Sequence, residues 1–122
     1  MENLLLEKHF IDLDSNLKVL MSVPTYKIGA YTFDVPKRLL YFNDESVKLT
    51  KKEAYLLVFF VNNTGKSLYR NEILTTIWRK DTYPNSRSMD VYICKMRKLL
   101  SRDPNILIVN IHGRGFRIVI DK

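Results

Sequence analysis

Residues 85–105 have the sequence NSRSMDVYICKMRKLLSRDPN, in which basic and apolar side chains recur with the period of an α-helix. At 100° per residue, one side of a helix over 86–102 collects six apolar side chains: Met89, Tyr92, Ile93, Met96, Leu99 and Leu100. The opposite side is mostly cationic: Arg87, Val91, Cys94, Lys95, Lys98 and Arg102, with Arg97 on the flank. The sequence therefore predicts a helix that begins near Ser86, ends before Asp103-Pro104, and has one core face and one basic outer face.

The outer face suits the major groove of DNA, which admits one helix. Lysine or arginine can bond guanine O6 and N7, and the methyl groups of Val91 can contact the thymine methyl. The remaining cations would neutralise phosphates and set the register. A basic helix face by itself is also compatible with a solvated surface.

The positive charge of the chain is unevenly placed. Its 122 residues are enough for one compact domain, and the formal net charge is +7. Residues 1–65 contain 8 Lys/Arg and 8 Asp/Glu, whereas residues 66–122 contain 12 Lys/Arg and 5 Asp/Glu. This asymmetry indicates a polyanionic partner, either nucleic acid or an acidic membrane surface.

Three features favour a cytoplasmic protein. The single cysteine, Cys94, excludes an intramolecular disulfide and a multi-cysteine zinc site. The first ten residues, MENLLLEKHF, do not have the pattern of a signal peptide. The longest uncharged stretch, residues 54–65, is far shorter than the roughly 20 apolar residues of a membrane span.

The rest of the chain predicts an α+β order. Three segments form an antiparallel meander: KIGAYTFDV (27–35), RLLYFN (38–43) and SVKLT (46–50). Thr50 and Glu53 predict a capping box for a central apolar helix, with Gly65 as its C-terminal stop. A second helix is predicted over 71–78, with Ile73, Leu74, Ile77 and Trp78 as its apolar side, and Pro84 makes residues 79–85 a loop. Strands ILIVNIHG (106–113) and GFRIVI (115–120) form a hairpin across Gly113-Arg114-Gly115, whose glycines are expected at positive φ.

Residues 1–24 leave three interpretations open. The spacing of Leu6, Phe10, Leu13, Leu17 and Leu20 suits an amphipathic helix that pairs with another chain. The DLDSN sequence at 12–16 is equally typical of a turn between two short strands. A linker from a larger protein is the third interpretation.

Four of these segments together resemble the OmpR/PhoB-type winged-helix DNA-binding domains, the output half of many bacterial two-component response regulators. They are LTKKEAYLL (49–57), YRNEILTTIW (69–78), RSMDVYICKMRKLL (87–100) and IHGRGFRI (111–118), in the order and spacing of the family. The resemblance runs from about Tyr26 to Ile120, and its details are most similar to members from Bacteroidetes.

The resemblance implies a winged helix-turn-helix with an N-terminal four-stranded antiparallel sheet, three helices and a C-terminal β-hairpin wing. Residues 1–24 would be an extension or linker and 25–122 the domain, with a short strand near 67–69. Residues 86–101 would be the recognition helix in the major groove, and the wing at 112–116 would approach the minor groove. The DNA-binding residues would be Arg87, Val91, Lys95, Arg97, Lys98, Arg102, Arg114 and Arg117.

Within that set, the positions matching Val91 and Lys95 face bases in the family, and those matching Arg87 and Arg97 face the DNA backbone or the groove edge. Arg114 at the wing tip is the cation expected at the minor groove. Where Lys95 stands, family members often have arginine, and lysine is a point charge without the planar fork that bonds guanine bidentately. Cys94 occupies a position that is often polar or basic, so a phosphate contact can be missing there.

The resemblance also implies partners. Two copies would form a dimer on double-stranded DNA at a direct-repeat operator. The loop at 79–85, with Arg79, Lys80, Asp81 and Tyr83, would contact RNA polymerase. A receiver domain would accompany this chain if it is a fragment, and whether it is a fragment or a stand-alone regulator stays open.

Other signals predict no enzyme, no cofactor and no metal site. TGKS at 64–67 lacks the earlier glycine of a phosphate-binding loop, since Phe60 stands there. His9 and His112 have no partner at metal-ligand spacing, and His112 is expected to pack beside the wing. Asp90 is expected to pair with a nearby arginine and hold the helix in place. The alternatives to duplex binding are a basic protein-interaction module and a single-stranded nucleic-acid binder.

Overall fold

The computed structural model describes residues 17–121. The elements, in chain order, are β1 (Thr25–Ile28), β2 (Tyr31–Asp34), β3 (Leu39–Phe42), β4 (Glu45–Lys48), α1 (Lys51–Val61), β5 (Leu68–Tyr69), α2 (Arg70–Ile73, continued by a π-helical turn, Leu74–Trp78), α3 (Tyr83–Leu99), β6 (Ile106–Ile111) and β7 (Gly115–Ile120). The predicted α+β winged-helix order, including the short strand β5, is confirmed. The expectations for Leu6, His9, Phe10 and Leu13 and for the turn at 12–16 lie outside the described residues.

The strands form two antiparallel sheets. The N-terminal sheet has the order β1-β2-β3-β4, and the C-terminal sheet has the order β5-β7-β6, which leaves β6 at an edge. Ahead of them, residues 17–21 form a helical turn, whose Leu17 is buried and whose Leu20 and Met21 pack against the core.

Helix α1 is the centre of the core, as its apolar sequence predicts. Five of its side chains are fully buried: Ala54, Leu56, Leu57, Val58 and Phe60. The predicted capping box is present, because Thr50 Oγ1 accepts from the Glu53 N–H at 3.2 Å and Glu53 Oε1 accepts from the Thr50 N–H at 2.7 Å. These bonds satisfy amides that have no partner inside the helix.

The end of α1 differs from the prediction. The helix ends at Val61, and the side-chain amides of Asn62 and Asn63 donate to the carbonyl oxygens of Val58 and Phe59, each at 2.8 Å. Gly65 lies beyond this end at φ +80°, and its N–H donates to the Ile118 carbonyl at 2.9 Å. The expected stop at Gly65 is therefore wrong, because the two asparagines end the helix and Gly65 joins the following loop to β7.

The predicted loop at 79–85 is also shorter than expected. Helix α3 begins at Tyr83, and Thr82 Oγ1 accepts from the Asn85 N–H at 3.3 Å. Pro84 therefore lies in the first helical turn, where its missing N–H would have had no intrahelical partner. The apolar side of α2 is as predicted, with Ile73, Leu74, Ile77 and Trp78 all buried.

The hairpin turn uses its glycines in two ways. Gly113 has φ +73°, as expected, and exposed His112 also has a positive φ of 45°, so His112 is part of the turn instead of packing beside it. Gly115 is buried without a positive φ. A Cβ there would overlap the Leu68 carbonyl oxygen and lie 2.8 Å from Tyr69 Cα, so close approach to β5, not backbone conformation, requires this glycine.

The C-terminal end of α3 is fixed to the N-terminal sheet. The Arg102 N–H donates to the Tyr31 hydroxyl at 3.1 Å. Buried Asp103 accepts from the Ala30 N–H at 2.8 Å and from the Asn105 N–H at 2.9 Å. Both ends of α3 thus have defined partners, which fixes the direction in which its outer face points.

Candidate nucleic-acid interface

Helix α3 has the two faces that its sequence predicts. Met89, Ile93, Met96 and Leu100 are buried, and Tyr92 and Leu99 are half-buried against the core. The whole predicted outer set is exposed: Arg87, Val91, Cys94, Lys95, Lys98 and Arg102. Val91 is 53% exposed, so its methyl groups lie among the cations on the surface. This face has the chemistry that base edges and phosphates require.

Arg70 connects α3 to the wing. Its Nη1 donates to Asp90 Oδ1 at 2.8 Å, and its Nη2 donates to the carbonyl oxygen and the hydroxyl of Ser86. The guanidinium lies 5.8 Å from the centroid of the Phe116 ring, and the Arg70 N–H donates to the Arg114 carbonyl at 2.9 Å. The expected pairing of Asp90 with an arginine is confirmed, and its partner comes from α2.

Arg97 makes a second connection between α3 and the hairpin. It donates to the Ile108 carbonyl from Nε at 3.0 Å and from Nη2 at 2.8 Å, and to Asn110 Oδ1 at 3.0 Å. Its guanidinium also lies 5.9 Å from the centroid of Phe116. Sequence periodicity placed Arg97 on the flank of the helix, but it carried no signal for these partners.

The wing tip is exposed and has a fixed base. Arg114 is exposed at the turn, and its N–H donates to the Ile111 carbonyl at 2.7 Å. Because its carbonyl accepts from Arg70, the turn is attached to α2 while the Arg114 side chain extends from it. Arg114 and the outer face of α3 are thus fixed in position relative to each other.

Besides Arg97, two more of the predicted DNA-binding arginines are engaged within the chain. Arg102 Nη1 lies 2.5 Å from Glu45 Oε2, and its guanidinium lies 4.5 Å from the Phe42 ring centroid. Arg117 is half-buried, and its Nη2 donates to Ser67 Oγ at 2.6 Å. A DNA role for either residue stays a prediction.

The segment predicted to contact RNA polymerase adjoins the basic face. Arg79, Lys80 and Asp81 are exposed, and Arg79 has a φ of +70° at the end of the π-helical turn. Tyr83 is 73% exposed, and its hydroxyl accepts from Arg87 Nη1 at 3.2 Å. This contact links the segment to the first turns of α3, and its role stays a prediction.

Residues 17–121 contain no group of three or more His, Cys, Asp or Glu side chains that could hold a metal ion. None of the helices in this range is long and apolar enough to cross a membrane.

Comparison with known proteins agrees with this geometry. Residues 44–118 match the family described as "Transcriptional regulatory protein, C terminal". The transcriptional regulatory protein RprY of Bacteroides fragilis is 48% identical over 94 residues, which cover 77% of this chain and 40% of RprY. The expected similarity to Bacteroidetes members is consistent with this relative. The chain thus spans less than half of the length of this curated relative.

Solved structures have the same fold. Response regulator DrrB of Thermotoga maritima, an OmpR/PhoB homolog, matches with a TM-score of 0.65 and 28% identity over 79% of this chain and 44% of DrrB. The DNA-binding domain of Klebsiella pneumoniae RstA, solved in complex with the RstA box, matches with a TM-score of 0.65 and 23% identity over 78% of this chain and 96% of that domain. From its sequence, its two sheets, its wing and its two-faced third helix, the chain belongs to the OmpR/PhoB-type family of C-terminal domains of transcriptional regulatory proteins.

Proposed function

We propose that this domain binds double-stranded DNA sequence-specifically as the output part of a transcriptional regulator, with α3 in the major groove and the wing at 112–116 by the minor groove. One observation carries the proposal: Val91 and Lys95 are exposed among cations on a helix that Arg70 and Arg97 fix to the wing. The similarity to RstA, whose DNA-binding domain was solved with the RstA box, supports it.

The exposed side chains divide into base and backbone contacts. Val91 and Lys95 face bases, with the valine against a thymine methyl and the lysine at guanine O6 or N7. Arg87 and Lys98 neutralise phosphates on either side of them. Arg114 enters the minor groove, where a narrow groove has a more negative potential. Arg97, Arg102 and Arg117 contribute mainly positive potential at the edge of the interface, because their guanidinium groups are engaged within the chain.

The resemblance to the family supports a proposal for the wider assembly. Two copies bind direct repeats, with half-site centres about 10 bp apart, one helical turn of DNA. The segment with Arg79, Lys80, Asp81 and Tyr83 contacts RNA polymerase, and a receiver domain supplies the input signal. The role is binding rather than catalysis, and because the partner is DNA, its place is the cytoplasm.

Selection of binding sites from a library of random duplexes tests the proposal. We expect enrichment of one motif, repeated at the spacing of one helical turn, and footprints that cover both copies. Competition with heparin and with single strands of the same sequence is the control. Equal affinity and equal salt dependence for random duplexes and heparin would favour a basic protein-interaction module instead, and a preference for single strands would favour the other alternative.

A further inference from the structure

The two flanks of α3 have different chemistry. On one flank, Arg70 and Arg97 join the helix to the wing. On the other flank, Tyr92 meets Trp78 edge to face, with ring centroids 5.5 Å apart and an interplanar angle of 78°. Trp78 Nε1 also donates to Ser88 Oγ at 3.2 Å. The wing therefore lies beside one flank of α3, and the aromatic pair of Trp78 and Tyr92 lies at the opposite flank.

Each ring of this pair has a lysine ammonium beside it. Lys95 Nζ lies 5.3 Å from the Tyr92 centroid, and Lys52 Nζ lies 5.2 Å from the Trp78 centroid. Lys52 comes from the first turn of α1, and it is half-buried, whereas its neighbour Lys51 is exposed. Among residues 17–121, no acidic side chain forms an ion pair with Lys52. Its charge is thus placed beside α3 without an anionic partner.

The dimensions of DNA indicate what this charge meets. A helix with its side chains is about 10–12 Å across, and the major groove is about 12 Å wide. A helix that lies in the groove fills it, so groups directly beside the helix stand opposite the phosphates of the two groove walls. The wing flank faces one wall, and the flank with Trp78 and Lys52 faces the other.

We propose that Lys52, whose ammonium lies beside the Trp78 ring, binds a DNA phosphate on the groove wall opposite the wing. The inference rests on the proposed function and adds α1 to the binding surface. Without Lys52, the cations of α3 and the wing would leave that wall with fewer contacts, so Lys52 fixes the lateral position of α3 without reading sequence.

Lys52→Met tests this, because methionine keeps a side chain of similar length beside Trp78 and removes the charge. Lys51→Met is the matched control, one residue away with the same loss of net charge. Affinity of the 122-residue chain for the selected operator is measured over a range of salt concentrations. A lost phosphate contact lowers the slope of log K against log salt by about 0.9. We expect that decrease for Lys52→Met and a clearly smaller one for Lys51→Met, with Lys52→Arg retaining the slope of the unmodified chain.

Operators with single neutral methylphosphonates locate the contact. The substitution that weakens the unmodified chain but not Lys52→Met marks the phosphate that Lys52 binds, and Arg114→Met marks the one near the wing. We expect these two phosphates to lie on opposite walls of the major groove that α3 occupies. Equal salt slopes for Lys52→Met and Lys51→Met, or both phosphates on one wall, would overturn the inference.

The two proposals fail in different ways. If Lys98→Met lowers the slope while Lys52→Met behaves as Lys51→Met does, the inference on Lys52 fails and duplex binding stands. If the unmodified chain shows no preference for any duplex over heparin, the proposed function fails, and the inference on Lys52 fails with it.

Discussion

Arg70 Nη1 lies 2.8 Å from Asp90 Oδ1, and this ion pair joins α2 to the flank of α3 that faces the wing. The Asp90 side chain is half exposed, so the pair by itself contributes little to stability. Arg70 matters more than Asp90, because the same guanidinium also donates to Ser86 and covers Phe116.

We therefore expect substitutions of Arg70 and Asp90 to lower the free energy of unfolding by different amounts. Arg70→Met should lower the free energy of unfolding by about 2–3 kcal/mol, since it removes several charge-assisted hydrogen bonds. Asp90→Asn should cost less than about 1 kcal/mol, as exposed ion pairs do. Urea unfolding measures both values. Equal losses would mean that the ion pair alone holds this junction.

The two glycines of the hairpin should respond differently to alanine. Gly115→Ala should cost about 3 kcal/mol, the upper end of overpacking, because the new Cβ meets the backbone of Leu68 and Tyr69. Gly113→Ala has open space and meets only the strain of its positive φ, which is about 1 kcal/mol. Thermal and urea unfolding of both variants check this order. A smaller loss of unfolding free energy for Gly115→Ala than for Gly113→Ala would contradict the close approach of β5.

Two exposed lysines of α3 should affect DNA binding in different ways. Lys95→Ala should cost about 1–3 kcal/mol of binding free energy and relax preference at one base position, because we propose a base contact for Lys95. Lys98→Ala should weaken binding to all sequences alike and lower the salt slope by about 0.9, because we propose a phosphate contact for Lys98. Binding is measured on the selected operator and on its single-base variants. Equal losses on specific and random duplexes for Lys95→Ala would exclude base recognition there.

Tyr31 should make stability depend on alkaline pH. Burial raises the pKa of its hydroxyl above the usual 10.0, although the Arg102 backbone N–H bond opposes this shift. The folded chain therefore keeps this proton at a pH at which the unfolded chain loses it, so the free energy of unfolding falls as pH rises above about 10. Tyr31→Phe should reduce that fall and cost about 1 kcal/mol at neutral pH, since the Arg102 N–H loses its acceptor. Urea unfolding from neutral pH to pH above about 10 compares the unmodified chain with Tyr31→Phe. Identical slopes of unfolding free energy against pH would contradict the role of Tyr31.

Local patterns were sufficient to predict most elements of this fold. Periodicity alone separated buried Met96 from exposed Lys95, and the spacing of Thr50 and Glu53 located the start of α1. These features depend on residues within a few positions of one another. Pro84 shows the limit of such reasoning, because proline is compatible with both a loop and the first turn of a helix.

Long-range contacts account for the remaining differences. Gly115 was predicted to be a turn residue. A glycine is required there because β5, which contains Tyr69 46 positions earlier, approaches too closely for a Cβ. The family resemblance implies that Arg97, Arg102 and Arg117 bind DNA, and that role stays a prediction, but it gave no indication of their contacts within the chain. Their partners are the Ile108 carbonyl, Glu45 and Ser67, and no short-range pattern indicates them.

The contact of Arg97 with Ile108 also protects the border of the C-terminal sheet. Strand β6 pairs with β7 on one side only, and the side chain of Leu107 in β6 is 57% exposed. An open strand border of this kind is a template on which another extended chain can add and start aggregation. By occupying the Ile108 carbonyl, the guanidinium removes one acceptor that an added strand would need. The arginine therefore makes this border less able to accept an extended strand from another chain.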